Sequence, residues 1–303
     1  MDEHELAWAA GFFDGDGWAA YVNQKGRKTG QPHAQINQAG ADGMPEVLER
    51  FAAAVGVGSL HGPRIIAKRL PLYNWAASSA VDVLTVHELL GPYLSPVKAR
   101  QVAAAARSGR ATTSSMRTES TERAWAAGFF DAEGNVSLSP HRSHAGHFLG
   151  EAAVTQTSGE TRSGELERFR ASVGGLGKIY GPYQNDAGGA RVYRWKLPGP
   201  DSIAALLHCL GPWLGALKTS QFHRALRVLG EQPELPRGNP SWGNRKTHCK
   251  NGHEYATARI RPYRARSPDG VEPRPSHQCL VCVREAAFIR RRLRDDWSRG
   301  RSR

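Results

Sequence analysis

The sequence predicts an α+β protein built from two pseudo-symmetric copies of one domain, with a small third segment appended. Three observations carry this. Residues 9–17 (AAGFFDGDG) recur as residues 126–134 (AAGFFDAEG), and the wider match runs from Trp8 and Trp125, a shift of 117 residues. Short stretches after each copy alternate polar and apolar side chains with the two-residue period of a strand, and others carry the wider spacing of an amphipathic helix. Beyond residue 244, Cys and His cluster in close pairs within a strongly basic stretch.

Composition narrows the function classes. The chain has 303 residues and 40% hydrophobic content, enough for two or three packed domains. No apolar run approaches the ~20 residues that a membrane span needs. The opening Met1-Asp2-Glu3-His4-Glu5 is acidic and lacks the apolar core of a signal peptide, so an intracellular location is expected. Four cysteines, three of them late in the chain, argue against a secreted disulfide framework. The formal net charge of +13 points to a polyanionic partner. Most of it is concentrated at one end, since residues 237–303 hold 17 Lys and Arg against 6 Asp and Glu.

Each copy reads as helix, two strands, helix, two strands, helix. The motif is the first helix, with Ala9, Ala10 and Gly11 small enough for a second helix to approach backbone to backbone. Gly17 and Gly134 are expected at positive φ, ending the helix and turning the chain into a strand. Residues 18–24 form the first strand. Residues 33–37 form the second, with His33, Gln35 and Asn37 on one face and Ala34 and Ile36 on the other. Residues 46–55 are a helix closed by Gly56, residues 60–64 and 72–77 a second hairpin, and residues 81–90 a helix stopped by Gly-Pro. The second copy repeats this. Asn135, Ser137, Ser139 and His141 alternate with Val136, Leu138 and Pro140; residues 178–183 and 192–197 form the hairpin; residues 202–210 form the helix. Leu48-Glu49-Arg50-Phe51 matches Leu166-Glu167-Arg168-Phe169, and Leu90-Gly91-Pro92-Tyr93-Leu94 matches Leu210-Gly211-Pro212-Trp213-Leu214. Repetition on this scale means two copies of one domain rather than a solenoid. The copies occupy residues 1–107 and 122–232. A Ser/Thr/Arg-rich linker spans 108–121, a Pro/Gly-rich linker spans 233–244, and the basic tail runs over 245–303.

Packing the two motif helices against each other brings Asp16 and Glu133 together at the foot of their interface. Two carboxylates so close repel unless a cation lies between them, and hard oxygen ligands suit Mg²⁺. Capping does not explain acids at a helix C-terminus, where the dipole disfavours them.

The two segments resemble the LAGLIDADG motif of the homing endonucleases. The first departs from it at the opening Leu and the Phe pair, and the second also carries Glu for the last acid. Two copies in one chain resemble the single-chain branch of that family. The resemblance implies two LAGLIDADG αββαββα repeats forming a DNA-binding saddle, acting as a monomer on double-stranded DNA. It implies that Asp16 and Glu133, with the carbonyls of Gly17 and Gly134, ligate Mg²⁺. It also implies that Gln38, Gln156, Lys98 and Lys218, which recur at matching places, organise water and charge near the scissile phosphate. Asp14 and Asp131 are expected to hold the motif rather than bind metal. Polar strand positions and loops offer base and phosphate contacts: Gln24, Lys25, Arg27, Lys28, His33, Gln35 and Asn37 in the first copy, and Ser137, Ser139, His141 and Thr155 in the second. The alternative is a non-cleaving DNA-binding regulator or an RNA maturase on the same fold; such relatives usually lose the final acids, which are present here.

In the tail, Cys249 and His253, then Cys279 and Cys282, form two close pairs suited to a tetrahedral Zn²⁺ site. His248 and His277 are less regularly spaced substitutes for His253. Knuckle, irregular hairpin over 255–278 and a CxxC opening a basic helix over 283–297 resemble a treble-clef zinc finger of the kind that accompanies some phage and intron nucleases. Cys209 sits on an apolar helix and reads as a packing residue.

Overall fold

A computed structural model describes residues 2–23, 30–108, 117–141, 146–158, 163–183, 191–232, 253, 260–264, 275–284 and 287. The chain divides into two units, Met1–Gln232 and Pro233–Arg303.

The first unit holds two halves of the same build. In the first, α1 (Glu3–Asp16) leads into β1 (Gly17–Val22) and β2 (Gln31–Ala39). There follow α2 (Glu46–Val55), β3 (Ser59–Arg64), β4 (Leu72–Ala77), α3 (Ala80–Leu90) and α4 (Pro96–Ala106). The second half repeats the series as α5 (Glu119–Glu133), β5 (Gly134–Pro140), β6 (Phe148–Ser158), α6 (Gly164–Ser172), β7 (Lys178–Tyr183), β8 (Arg191–Pro198), α7 (Pro200–Leu210) and α8 (Ala216–Glu231). Each half thus carries one helix more than the sequence predicts. Ser95 caps α4 by accepting from Lys98 N–H, with Pro96 at the first turn where its missing donor costs nothing. The helix α5 starts at Glu119, inside the segment read as linker. Thr118 and Thr121 form a reciprocal capping box there, with bonds of 2.8 and 3.2 Å.

Each half has a four-stranded antiparallel sheet, ordered β1-β2-β4-β3 and β5-β6-β8-β7. One face is buried under helices. In β8, Tyr193, Trp195 and Leu197 point inward while Arg191, Arg194 and Pro198 are exposed. The core of each half centres on an aromatic pair of the same geometry: Phe51 meets the edge of Trp75 at 4.8 Å, and Phe169 meets Trp195 at 4.9 Å.

The halves join along α1 and α5. A Cβ on Gly11 would lie 1.9 Å from the Trp125 carbonyl oxygen, and one on Gly128 would lie 1.9 Å from that of Trp8. The two backbones therefore touch directly, which only glycine allows. Around this crossing the halves grip each other reciprocally. Trp8 Nε1 donates to Asp131 Oδ2 at 2.8 Å, and Trp125 Nε1 donates to Asp14 Oδ2 at 2.7 Å. Arg50 lies 3.9 Å over the Trp8 ring, holds Glu5 through two bonds and donates to the Trp213 carbonyl of the other half at 2.7 Å. Arg168 copies it over Trp125 at 3.8 Å, holds Glu122 and donates to the Tyr93 carbonyl at 2.6 Å.

Gly17 and Gly134 depart from expectation. Both are extended, with φ −75° and −80°. Their need for glycine is steric: a Cβ would fall within 2.5 Å of the Phe13 ring at Gly17 and of the Phe130 ring at Gly134. Dropping the side chain lets the strand leave the helix across the face of the preceding aromatic.

In the second unit, β9 (Ile260–Arg264) and β10 (Pro275–Cys279) form an antiparallel hairpin, and residues 280–284 are helical. The rest of the basic helix expected over 283–297, Ala287 apart, lies outside the described residues. Among the described residues no helix is long and apolar enough to cross a membrane.

The crossing gives a sharp stability test. Gly11→Ala and Gly128→Ala should each destabilise by more than the ~1–3 kcal/mol of ordinary overpacking, because rigid backbone rather than a side chain stands in the way. Gly230→Ala, where an added Cβ meets nothing within 4 Å, should stabilise α8 by about 0.5–1 kcal/mol. Thermal unfolding of the three variants checks the order.

Candidate active site

The last residues of α1 and α5 are Asp16 and Glu133, so the glycine crossing delivers one carboxylate from each half to the same end of the helix pair. Gly15 has no Cβ to spare there: one would meet Ala132 Cβ at 2.4 Å and Glu133 Cγ at 3.0 Å. Gln38 lies on the helix-facing side of β2, in step with Ala34 and Ile36, and its Nε2 donates to Asp16 Oδ2 at 2.5 Å. Lys98 rises from the first turn of α4 and donates to the Gly17 carbonyl. Lys218, at the matching place on α8, donates to the Gly134 carbonyl at 2.5 Å. Asp14 and Asp131 face away from this cluster. Asp14 accepts from Ser95 N–H at 2.8 Å and Asp131 from Gly215 N–H at 2.8 Å. They thereby fix the starts of the two helices that carry the lysines.

Burial sets the electrostatics. It raises Asp16 to about 6, against the pull of Lys218, Gln38 and Lys98. Burial and then the Asp16 charge raise Glu133 to about 7, against Lys98 and Lys218. Burial depresses both lysines, and the surrounding acids oppose this. Asp14 and Asp131 are likewise raised by burial to about 6, although hydrogen bonds from tryptophan and backbone favour their charged forms.

Gln156 breaks the symmetry. It occupies the register position of Gln38, yet its Oε1 accepts from Thr157 N–H at 3.2 Å. Among the described residues no donor pairs with the Glu133 carboxylate. The oxygen set of two carboxylates and two strand-starting carbonyls fits a hard cation. Both carbonyls already face an ammonium group, and Glu133 has lone pairs to spare.

The strand positions expected to meet DNA lie on the open faces of the sheets. His33, Gln35 and Asn37 face away from the core, with His33 held between Ser78 Oγ at 3.0 Å and Gln35 Oε1 at 3.1 Å. Ser137 and Ser139 are exposed, and Thr155 is half-buried opposite Arg194. His141 follows β5 directly, its N–H bonded to the His147 carbonyl at 2.8 Å. Gln24, Lys25, Arg27 and Lys28 lie outside the described residues. Sequence reasoning missed Lys178, Arg194 and Lys196 on the same open face; the alternation of Arg194 and Lys196 with Tyr193, Trp195 and Leu197, and of Lys178 with Ile179, was the available signal.

In the second unit, His253, Cys279 and Cys282 bring their ligand atoms within 4.8 Å of one another, with His253 Nδ1 at 3.1 Å from Cys282 Sγ. Cys249 lies outside the described residues.

Comparison with solved structures matches this architecture. The LAGLIDADG meganuclease I-AabMI bound to uncleaved DNA aligns with a TM-score of 0.53 and 16% identity, over 76% of this chain and 91% of its own. This is the LAGLIDADG fold. The LAGLIDADG homing endonuclease I-GzeII in complex with its DNA target aligns with a TM-score of 0.50 and 15% identity, over 74% of this chain and 89% of its own. The meganuclease I-SmaMI bound to uncleaveable DNA gives 0.50 and 13%, over 75% and 92%. At such identities the likeness is one of fold. No protein-family model matches the sequence, and no curated protein does either.

The raised acids predict an inverted pH dependence of stability. Between the ordinary carboxyl range and about pH 6–7 the folded state holds protons on Asp14, Asp16, Asp131 and Glu133 that the unfolded chain has released, so their contribution to stability is fully present below about pH 4 and is lost as pH rises through about 6–7. With divalent ions chelated, the melting temperature of the first unit's transition should drop from pH 5 to 8. Mg²⁺ should recover the loss at pH 8, and Asp16→Asn or Glu133→Gln should flatten the decline.

Proposed function

We propose that the protein is a site-specific endonuclease that hydrolyses phosphodiester bonds of double-stranded DNA with a divalent metal. One observation carries the reading: two half-buried acids, one from each pseudo-symmetric half, converge at the foot of one helix pair, each half adding a lysine beside them. Asp16, Glu133 and the carbonyls of Gly17 and Gly134 would hold Mg²⁺, which when bound supplies an activated water and charge neutralisation at the phosphate. Gln38 fixes the Asp16 carboxylate in one orientation. Lys98 and Lys218 place positive charge where the pentavalent phosphorus centre gains negative charge, in a partly desolvated site where that charge acts strongly. The open faces of the two sheets present amides, hydroxyls, an imidazole and cations of a kind that read base edges in the major groove. Both halves lie in one chain, so a monomer suffices for two strands.

Incubation with a randomised duplex library and Mg²⁺, followed by sequencing of cut ends, tests the reading. A defined recognition sequence is expected. Binding without any cut in Mg²⁺ or Mn²⁺ would instead make the protein a non-cleaving regulator, and capture of structured RNA alone would make it a maturase. Asp16→Asn and Glu133→Gln should each lower cleavage at least ~100-fold while leaving duplex binding intact. Gln38→Ala should cost about 10-fold, as expected for a group that orients a metal ligand. Gln156→Ala should cost less, because Gln156 bonds elsewhere. Cleavage rates at saturating enzyme check the order.

The second unit reads as a zinc module of His253, Cys279 and Cys282, completed by Cys249. Structural zinc supplies the folding free energy of such small segments. Purified protein should carry about one Zn²⁺ per chain. Cys279→Ser should abolish it and expose the tail to proteases, while the first unit keeps its melting transition. A tail that stays ordered without zinc would end this assignment.

A further inference from the structure

The two sheets share one register, so their open faces can be compared position by position. The row through Gly17 and the row through Gly134 run beside the acids: Gly17 pairs with Ile36, Ile36 with Trp75 and Trp75 with Leu60; Gly134 pairs with Val154, Val154 with Trp195 and Trp195 with Ile179. On either side of these rows lie the outward positions of the two inner and edge strands. Where β4 and β3 carry Ala76 and Ser59, β8 and β7 carry Lys196 and Lys178. Where β4 carries Asn74, β8 carries Arg194. The first sheet has no permanent cation at these three positions and the second has three.

These cations are available to a ligand. Lys178 and Arg194 are exposed, and Arg194 lies 5.9 Å from the Tyr183 ring, a contact that leaves its guanidinium edges open. Lys196 is half-buried and pairs with Glu151 at 2.9 Å, so part of its charge is neutralised before any partner arrives. The counterpart of Glu151 in the first sheet is His33, whose ring is already held by Ser78 and Gln35. At these inner positions the first sheet offers an amide, a hydroxyl and an imidazole where the second offers three cations and a carboxylate; further out the first sheet carries Arg64 where the second carries Tyr183.

We propose that the protein grips its duplex unequally. The half-site under the second sheet is the anchoring half, held at its inner end by Lys178, Arg194 and Lys196. At the matching inner positions the half-site under the first sheet is met by neutral groups and gains little salt-dependent affinity there. Arg194, with its planar fork on an open strand, selects a guanine through O6 and N7. Because the three cations flank the row that carries Gly134, that guanine lies close to the scissile position. The inference rests on the endonuclease reading and deepens it.

The test uses the full chain and the duplex recovered by selection, with binding measured in Ca²⁺ over a potassium chloride series. The variant Lys178→Ser, Arg194→Asn, Lys196→Ala installs the residues that the first sheet carries at the same register. It should reduce the slope of log K against log salt by about 1, given roughly 0.9 per phosphate contact, the commitment of Arg194 to a base and the prior pairing of Lys196 with Glu151. Ser59→Ala with Asn74→Ala should weaken binding without changing the slope. Arg194→Lys should keep the slope, and repeating the selection with Arg194→Ala should lose a guanine preference at one position in one half-site. An unchanged slope in the triple variant, or a guanine preference that survives Arg194→Ala, would overturn the inference while leaving the nuclease reading standing. Failure of the unaltered protein to bind any duplex would overturn both.

Discussion

The contact of backbone on backbone between α1 and α5 is the constraint from which the rest follows. Gly11 and Gly128 let each helix reach the carbonyl of the other's tryptophan, and this closeness fixes where the helices end. Asp16 and Glu133 are brought together because the crossing lies a fixed number of turns above them. The strands begin where the helices stop, so the same contact aligns the two sheets. A side chain at either glycine would separate the carboxylates, tilt the sheets and break the tryptophan–aspartate bonds in one step.

The acids within one helical turn serve opposite ends. Asp14 and Asp131 spend their oxygens on tryptophan and backbone donors, and so pin the starts of α4 and α8. Asp16 and Glu133 remain with fewer partners beside Lys98 and Lys218, which ride on the helices so pinned. The scaffold acids therefore set the position of the site's cations, and burial gives all four carboxyls a raised proton affinity. A divalent ion at the foot would relieve the repulsion between Asp16 and Glu133 that the lysines offset only in part.

Much of this was legible in the sequence. The repeat gave the two-domain plan, period-two alternation located β2 and β5, and residues 46–55 were readable as a helix from Leu48, Phe51 and Val55 on one face and Gly56 at its end. Gly17 and Gly134 were read correctly as boundaries but for the wrong reason, since a steric clash with the ring four residues back leaves no trace in a single sequence. The helices α4 and α8 went unread because their buried faces are sparse, with Val102 and Ala105 in one and Phe222, Ala225 and Leu229 in the other. Arg50 and Arg168 were visible only as matching letters, because their partners lie in the other half. The different bonding of Gln38 and Gln156 depends on which rotamer each adopts beside an Asp or a longer Glu, and spacing does not encode that.

The reciprocal grip has an evolutionary consequence. Trp8 answers to Asp131 and Trp125 to Asp14, so a change in one motif must be tolerated by the other copy and not merely by its own neighbours. The residues of the crossing, AAGFFD, are letter-for-letter the same in the two copies, while the outward strand positions differ in nearly every row. After duplication, a chain folded this way keeps its paired helices in lockstep and leaves its sheets free to specialise separately. New outward side chains can accumulate one half at a time, without reopening the joint that holds Asp16 and Glu133 together.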